Sequence, residues 1–248
     1  VGGIRSGPIN ANFTSVLRDL KRFPAVVVGT QRQRRDIETR FDATNILAIP
    51  PGSCIPRLPL SDLSRERLKL VYIARYSAEK RHHLAIEIFS RVLLECPQAR
   101  MEFYGSGKRM QPIIDDVYAR RLEHAISVNG FTQQPHAVYA SSGLSILTSQ
   151  GEGFALGVLE SLAAGCPVIS FDVPYGPADM IEDGHNGALI PEGDLEGFTQ
   201  RVVRILRDED LHHRLIYNCP QSIDKFSQSA VAAQWELLLR SATGTASN

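Results

Sequence analysis

Two glutamates eight residues apart are the first candidates for a ligand-binding or catalytic site. Glu152 lies between Gly151 and Gly153, which we expect to loosen a tight turn, and Glu160 follows within an apolar pattern of helical spacing. A helix that starts after such a turn presents unpaired N–H groups, which attract phosphate. The carboxylates on both sides of such a phosphate would accept hydrogen bonds from hydroxyl groups of the ligand. A nucleotide sugar has this arrangement, with sugar hydroxyls on both sides of its phosphates. A helix start with one acidic residue favouring the dipole and one solvated Glu would explain the pattern too.

The elements around the two glutamates follow the order strand, turn, helix, strand. Residues 145–149 predict the end of a buried strand, and leucines recur at helical spacing from Ala155 onward. Gly165 fits a left-handed C-terminal cap, and Pro167 prevents the helix from continuing. Residues 168–171 then predict the next strand. The glutamates are therefore expected in a loop and on the helix that follows it.

The same order of strand, turn and helix occurs earlier in the chain. Residues 69–75 predict a strand, and a helix is expected from Lys80 onward. This alternation indicates an α/β fold with a Rossmann-like, doubly wound parallel sheet, in which ligands bind at the carboxyl ends of the strands. Arg75 and Lys80 fall at such an end, although both could be ordinary surface cations. Gly105 belongs to a Gly-x-Gly turn after the next strand, where we expect the floor of a nucleotide site.

The central run also resembles a known family pattern. Glu152-Gly-Phe-Ala-Leu-Gly-Val-Leu-Glu160, followed by Ser-Leu-Ala-Ala-Gly-Cys-Pro-Val-Ile, is similar to the Glu-x7-Glu motif of retaining glycosyltransferases of the GT-B fold, group 1 or family 4. Residues 171–190 resemble the branch that contains wall-teichoic-acid glycosyltransferases and accessory-secretion enzymes that glycosylate adhesins. The resemblance extends from about residue 25 to residue 240. Ala155 departs from it, because relatives often carry Gly, Ser or Pro there.

The resemblance implies roles for the residues around the motif. Glu152 would hold hydroxyls of the transferred sugar, and Glu160 would hold the ribose hydroxyls. The backbone that faces the phosphate side would be that of Gly153, Phe154, Ala155 and Leu156. A covalent role for Glu152 is not expected, since retention in the family is ascribed to departure and attack on one face of the sugar.

Arg75 and Lys80 match the two cations that bind the diphosphate in the family. They would neutralise the leaving diphosphate, which needs cations where no metal or other cofactor is used. Val128 and Phe131 lie where relatives hold the base, although packing in the core would explain both residues equally well. The transition state implied is oxocarbenium-like, with negative charge growing on the leaving oxygen.

The resemblance also divides the chain. Residues 1–24 are expected to be a segment of the preceding domain, residues 25–220 the nucleotide-sugar-binding domain, and residues 221–248 a crossover helix and tail. The expected partners are a nucleotide-sugar donor and the N-terminal Rossmann domain of the same enzyme, which would carry most of the acceptor site. Peripheral membrane or co-subunit contacts would use those absent parts. The chain alone is expected to bind donor and to be inactive.

The expected function is transfer of a hexose or N-acetylhexosamine from a nucleotide sugar, with UDP the expected nucleotide. The acceptor would be a cell-wall polymer, a glycan or a protein. One alternative is a nucleotide-sugar epimerase of GT-B fold, which shares the scaffold but lacks the run that follows Glu160. Another is a non-catalytic module that offers its last helix to a partner.

Composition excludes several other classes. The 248 residues carry 27 Lys and Arg against 27 Asp and Glu, so there is no basic stripe for nucleic acid. The cluster Arg32, Arg34 and Arg35 is followed by acidic residues and is expected to be a solvated helix face. No apolar run approaches the roughly 18 residues of a membrane span.

Cysteine and histidine spacing gives no metal or redox motif. None of the four cysteines forms a Cys-x-x-Cys pair, and reduced thiols in a cytoplasmic protein are expected. The His pairs at residues 82–83 and 212–213 are adjacent rather than four apart. We expect both pairs on the surface and no metal site.

Overall fold

A six-stranded parallel sheet forms the centre of the structure. The computed structural model describes residues 20–51 and 65–243. Its sheet has the order β5-β4-β3-β6-β7-β8, and a separate parallel pair is formed by β1 and β2. The strands are β1 (Val26–Val28), β2 (Ile46–Ala48), β3 (Glu66–Ile73), β4 (Arg100–Tyr104), β5 (Ile126–Asn129), β6 (Ser142–Leu147), β7 (Val168–Phe171) and β8 (Gly187–Ile190). The predicted α/β fold with a doubly wound parallel sheet is confirmed.

Helices connect and flank these strands. They are α1 (Gln31–Phe41), α2 (His82–Glu95), α3 (Met110–Ala119), α4 (Pro135–Ser141), α5 (Leu156–Ala163), α6 (Pro177–Met180), α7 (Leu195–Arg207), α8 (Glu209–Ser222) and α9 (Gln228–Thr243). Leu70 and Tyr72 of β3 face the main core, whereas Val71 faces a second cluster with Tyr139 of α4. Because both faces of the sheet are covered, β6 and β7 are buried at every residue.

The sheet order determines where a ligand site can form. The chain runs outward from β3 to β5 and then returns to the other side of β3 with β6. The loops after β3 and β6 therefore leave neighbouring strands at the point where the order reverses. These two loops carry residues 75–80 and residues 150–152. The tertiary structure thus brings together the two groups of residues that the sequence analysis selected.

The unit made of β1, α1 and β2 lies outside the six-stranded sheet. It packs around its own small cluster, which includes Ile37 and Ile46. It contacts the larger sheet through Arg32, whose Nη1 lies 2.6 Å from Asp172 Oδ1. β1 and β2 pair with each other and, within the described residues, with no strand of the six-stranded sheet. The domain boundaries at residues 24 and 220 remain a prediction.

Residue types at the helix ends account for several local features. Asp194 caps α7 by accepting a hydrogen bond from Gly197 N, and Asp208 caps α8 in the same way. Gly165 ends α5 with the left-handed φ of 70° that was expected. The strand β3 begins earlier than predicted, at Glu66 rather than at residue 69.

The turn before α5 differs from the expectation. Neither Gly151 nor Gly153 has a left-handed φ; Ala155, the residue before the helix, has φ 63°. Gly151 is instead closely packed, since a Cβ there would lie 3.0 Å from Pro174 O. Gly151 therefore allows two loops to approach each other closely, and it is not needed for an unusual backbone conformation.

The prediction that both His pairs lie on the surface is wrong. His82 and His212 are each only 2% exposed, while His83 and His213 are exposed. His82 stacks on Tyr72 with ring centroids 4.7 Å apart and meets Phe103 edge-on. Adjacent residues on a helix point in different directions, so one member of each pair faces the sheet. Burial lowers the pKa of His82 to about 4.

Among residues 20–51 and 65–243, no three His, Cys, Asp or Glu side chains are grouped so that they could hold a metal ion. Within those ranges, no helix has the length and apolarity needed to cross a membrane.

Candidate active site

The loop that carries Glu152 is clamped to the turn after β7. Glu152 N donates to Pro174 O and Tyr175 N donates to Glu152 O, both at 2.8 Å. Gly176, with φ 108°, packs so closely that a Cβ would lie 2.1 Å from Phe154 O. The backbone of the Glu152 loop is thus fixed by a segment that follows it by some twenty residues.

Lys80 and Glu152 form an ion pair at the junction of the two central loops. Lys80 Nζ lies 2.6 Å from Glu152 Oε1, and the two side chains are 14% and 10% exposed. The Lys80 carbonyl accepts hydrogen bonds from Tyr72 Oη at 2.7 Å and from Thr148 Oγ1 at 3.1 Å. Side chains from β3 and from the end of β6 therefore hold the backbone that presents this ammonium.

The first cavity, here called the Glu152 cavity, has a volume of about 540 Å³. It is lined by the Lys80–Glu152 pair and by two further carboxylates, Glu79 and Glu192. Its other lining residues are Arg75, Gln150, Gly151, Gly153, Pro174 and Tyr175. The pKa of Glu79 is lowered, mainly because its carboxylate accepts a hydrogen bond from its own backbone N–H. The cavity thus combines cations with several acceptors for hydroxyl groups.

The second cavity, the Glu160 cavity, has a volume of about 610 Å³. Glu160 is half-buried in its wall, and this burial raises the pKa of the Glu160 carboxyl. Phe131 lines the cavity with a side chain that is 74% exposed. Gly105 lines it too, and a Cβ there would lie 1.9 Å from Ala74 O, so only glycine fits. Val128 packs against the main core and is not among the lining residues.

Arg75 lines both cavities. Its side chain is 77% exposed and lies 3.4 Å from Glu79 Oε1, so it is free to reorient toward a ligand. Phe154 and Ala155 are largely buried, whereas Leu156 is half exposed at the first turn of α5. Ala155 provides no side-chain cap, so the first N–H groups of α5 have no side-chain acceptor.

The structure adds residues that sequence reasoning missed. Tyr72 and Thr148 position Lys80, Tyr175 clamps Glu152, and Glu192 lines the Glu152 cavity. Burial, followed by the nearby Asp36 carboxylate, raises the pKa of Tyr175 to about 12. The turn residues Tyr175, Gly176 and Pro177 could have given a signal in the sequence, whereas Glu192 stands alone in a short loop.

The sequence pattern described as glycosyl transferases group 1 matches residues 61–222. The poly(glycerol-phosphate) alpha-glucosyltransferase of Bacillus subtilis (strain 168) is 27% identical over 238 residues, covering 93% of this chain and 35% of that protein. The poly(ribitol-phosphate) alpha-N-acetylglucosaminyltransferase of Staphylococcus aureus (strain COL) is 27% identical over 237 residues, covering 95% and 48%. The chain therefore spans half or less of the length of these curated relatives.

A solved structure shares the fold. It is a variant of S. aureus TarM in complex with fondaparinux, alpha-GlcNAc-glycerol and UDP. The TM-score is 0.85 at 25% sequence identity, and the match covers 94% of this chain and 48% of that one. The shared region therefore spans nearly all of the present chain.

Proposed function

The chain belongs to the glycosyl transferases group 1 family, and from this premise we propose that it is the donor-binding part of a retaining glycosyltransferase. The resemblance to the GT-B fold and to the wall-teichoic-acid branch is confirmed by the relatives and by the TarM structure. The epimerase alternative is not favoured, since the curated relatives named above are glycosyltransferases.

One observation supports the proposal above the others. The two glutamates of the Glu-x7-Glu motif line two separate cavities, and Arg75 lines both. A nucleotide sugar has hydroxyl-bearing sugars at both ends of a diphosphate, and each end would then meet one carboxylate. The diphosphate would lie between them, near Arg75, Lys80 and the first amides of α5. UDP is the proposed nucleotide, because the similar TarM structure contains it.

The same residues would promote the reaction. The bond between the anomeric carbon and the diphosphate oxygen breaks, and the acceptor oxygen attacks from the same face. The acceptor proton passes to the departing oxygen. Arg75 and Lys80 stabilise the negative charge that grows on this oxygen. Because that charge is larger in the transition state than in the ground state, the stabilisation lowers the activation barrier. In this proposal the cations perform the role that a metal ion performs elsewhere, and no cofactor is required.

The remaining parts of the proposal concern the whole enzyme. The donor sugar is a hexose or N-acetylhexosamine, and the acceptor is a cell-wall polymer, a glycan or a protein. An N-terminal Rossmann domain would complete the cleft and bind the acceptor. The enzyme would act in the cytoplasm, where nucleotide sugars are available, and this chain alone would transfer sugar poorly or not at all.

Calorimetric titration with UDP, ADP and GDP, without added metal, tests the proposal. We expect the protein to bind UDP but neither ADP nor GDP. The Glu160→Gln variant should bind UDP about tenfold more weakly, because one charge-assisted hydrogen bond is removed. The same titration with the full-length enzyme controls for a site that needs both domains. Absence of UDP binding in both proteins would reject the proposed function.

A further inference from the structure

We propose that Glu192 is a second hydroxyl-binding carboxylate of the Glu152 cavity and contributes to the choice of donor sugar. The inference rests on the proposed function, because it assigns a further residue to the sugar end of the same site. Glu192 follows β8, the edge strand, whereas Glu152 follows β6 near the centre of the sheet. The two carboxylates therefore enter one cavity from different strand ends.

The orientation of Glu192 is set by an anchored arginine. Arg81 Nη1 lies 3.0 Å from Glu192 Oε1. The guanidinium also donates to Thr148 O at 2.8 Å and to Ser149 O at 2.6 Å. It lies 5.6 Å above the ring of Phe171 and is only 17% exposed. Because Arg81 is held at three places, the carboxylate that it binds is presented to the cavity in a defined position.

Glu192 keeps the capacity to bind a ligand. Its side chain is 45% exposed, and only one of its oxygens is paired with Arg81. A carboxylate offers about four acceptor sites, so one or more sugar hydroxyls can still donate to it. Glu79, the third carboxylate of the cavity, differs, because its own backbone N–H and the Arg75 guanidinium already engage it.

A purely structural role explains Glu192 less well. Arg81 is already fixed by two backbone carbonyls and an aromatic ring, so it does not need Glu192 to stay in place. Ion pairs with a partner this exposed contribute little to stability. A hydroxyl of the transferred sugar, by contrast, would give this carboxylate a charge-assisted partner within the cavity.

The test compares binding of UDP with binding of UDP-glucose and UDP-N-acetylglucosamine by the full-length enzyme. For Glu192→Gln and Glu192→Ala we expect unchanged affinity for UDP and a loss of about tenfold for the preferred UDP-sugar. Glu95→Gln is the matched control. Glu95 forms a similar half-exposed ion pair with Arg207, and it does not line either cavity. Its affinities should match those of the wild type.

Deoxy analogues of the preferred donor identify the hydroxyl. If Glu192 binds one hydroxyl, the donor that lacks it binds the wild type and Glu192→Ala equally well. The inference is overturned if Glu192→Ala loses no more affinity than Glu95→Gln, or if the affinity for UDP falls in parallel. Either result leaves the proposed function intact, since that proposal fails only when the wild type does not bind UDP.

Discussion

Lys80 Nζ lies 2.6 Å from Glu152 Oε1, although the two residues are 72 positions apart in the chain. They follow β3 and β6, which are neighbours in the sheet. The family resemblance implies that Lys80 binds the diphosphate and Glu152 the sugar, and the structure pairs the two side chains with each other. An ammonium has three N–H donors, so two remain for a phosphate oxygen while the third holds the carboxylate. Under the proposed function, this ion pair would couple the residue that binds the diphosphate to the residue that binds the transferred sugar.

Breaking this pair should destabilise the fold. Lys80→Met leaves the largely buried Glu152 carboxylate without its partner, and we expect a loss of about 3 kcal/mol in the free energy of unfolding. The double variant with Glu152→Gln should recover part of this loss, because the unpaired charge is gone. Urea unfolding of the single and double variants measures both effects.

Arg75→Met is the control for this experiment. Arg75 pairs with Glu79 at 3.4 Å in an exposed position, so its removal should change stability by less than about 1 kcal/mol. Equal stability of Lys80→Met and the wild type would show that the Lys80–Glu152 pair contributes nothing to the fold.

Glu160 should make donor binding sensitive to pH. Burial raises the pKa of this carboxyl, so it takes up a proton at a higher pH than an ordinary glutamate. The protonated form has less capacity to accept ribose hydroxyls, and affinity should fall as pH decreases through this raised pKa. UDP-glucose is the suitable ligand, because the terminal phosphate of UDP itself titrates near about pH 6.

Calorimetry from about pH 7.5 down to about pH 5 would follow this change. Glu160→Gln should bind more weakly at neutral pH and lose the pH dependence over this range. A variant that keeps the wild-type pH profile would assign the titration to another group. Circular dichroism at each pH ensures that the protein remains folded.

Buried His82 should make the fold sensitive to acid. Its pKa is lowered from 6.5 to about 4, mainly by burial, so the unfolded chain binds a proton that the folded chain does not. Stability is therefore lost as pH falls from about 6.5 toward about 4. The expected loss from this residue between about pH 7 and about pH 5 is about 2 kcal/mol.

Urea unfolding at the two pH values measures the effect, with His82→Phe as the test and His83→Phe as the control. Phenylalanine can occupy the aromatic cluster around Tyr72 without titrating, so His82→Phe should reduce the dependence on pH. His83 is exposed, and its replacement should leave that dependence unchanged. If the two variants behave alike, His82 is not responsible for the acid sensitivity.

Gly176 should be required for the shape of the Glu152 loop. A Cβ at this position would lie 2.1 Å from Phe154 O, and the residue has φ 108°. Gly176→Ala must push the Phe154 carbonyl away, and we expect a large loss of UDP-sugar affinity together with lower stability. Gly184→Ala is the matched control, since Gly184 also has a positive φ, 74°, but nothing lies within 4 Å of its Cβ position.

The measurements are UDP-sugar affinity and the melting temperature of both variants. Gly184→Ala should lower stability by about 1 kcal/mol through backbone strain and leave affinity unchanged. If both variants bind the donor as the wild type does, the contact between residues 154 and 176 does not control the site.

The sequence alone determined the local features of this protein. The Glu-x7-Glu run, the cap at Gly165 and the caps at Asp194 and Asp208 depend on residues close together in the chain. Such features follow from backbone conformation and hydrogen bonds within one turn. They can therefore be predicted directly from the types of a few neighbouring residues. The alternation of strands and helices likewise predicted the parallel sheet.

Which distant residues meet depends on the tertiary structure. The sequence did not show that Lys80 pairs with Glu152, that Glu192 lines the same cavity, or that His82 is buried. These relationships depend on the order of the strands, which brings the loops after β3, β6 and β8 to one edge of the sheet. The strand order is set by the burial of both faces of the whole sheet. Residues from every strand contribute to this burial, so no short segment of the sequence encodes it.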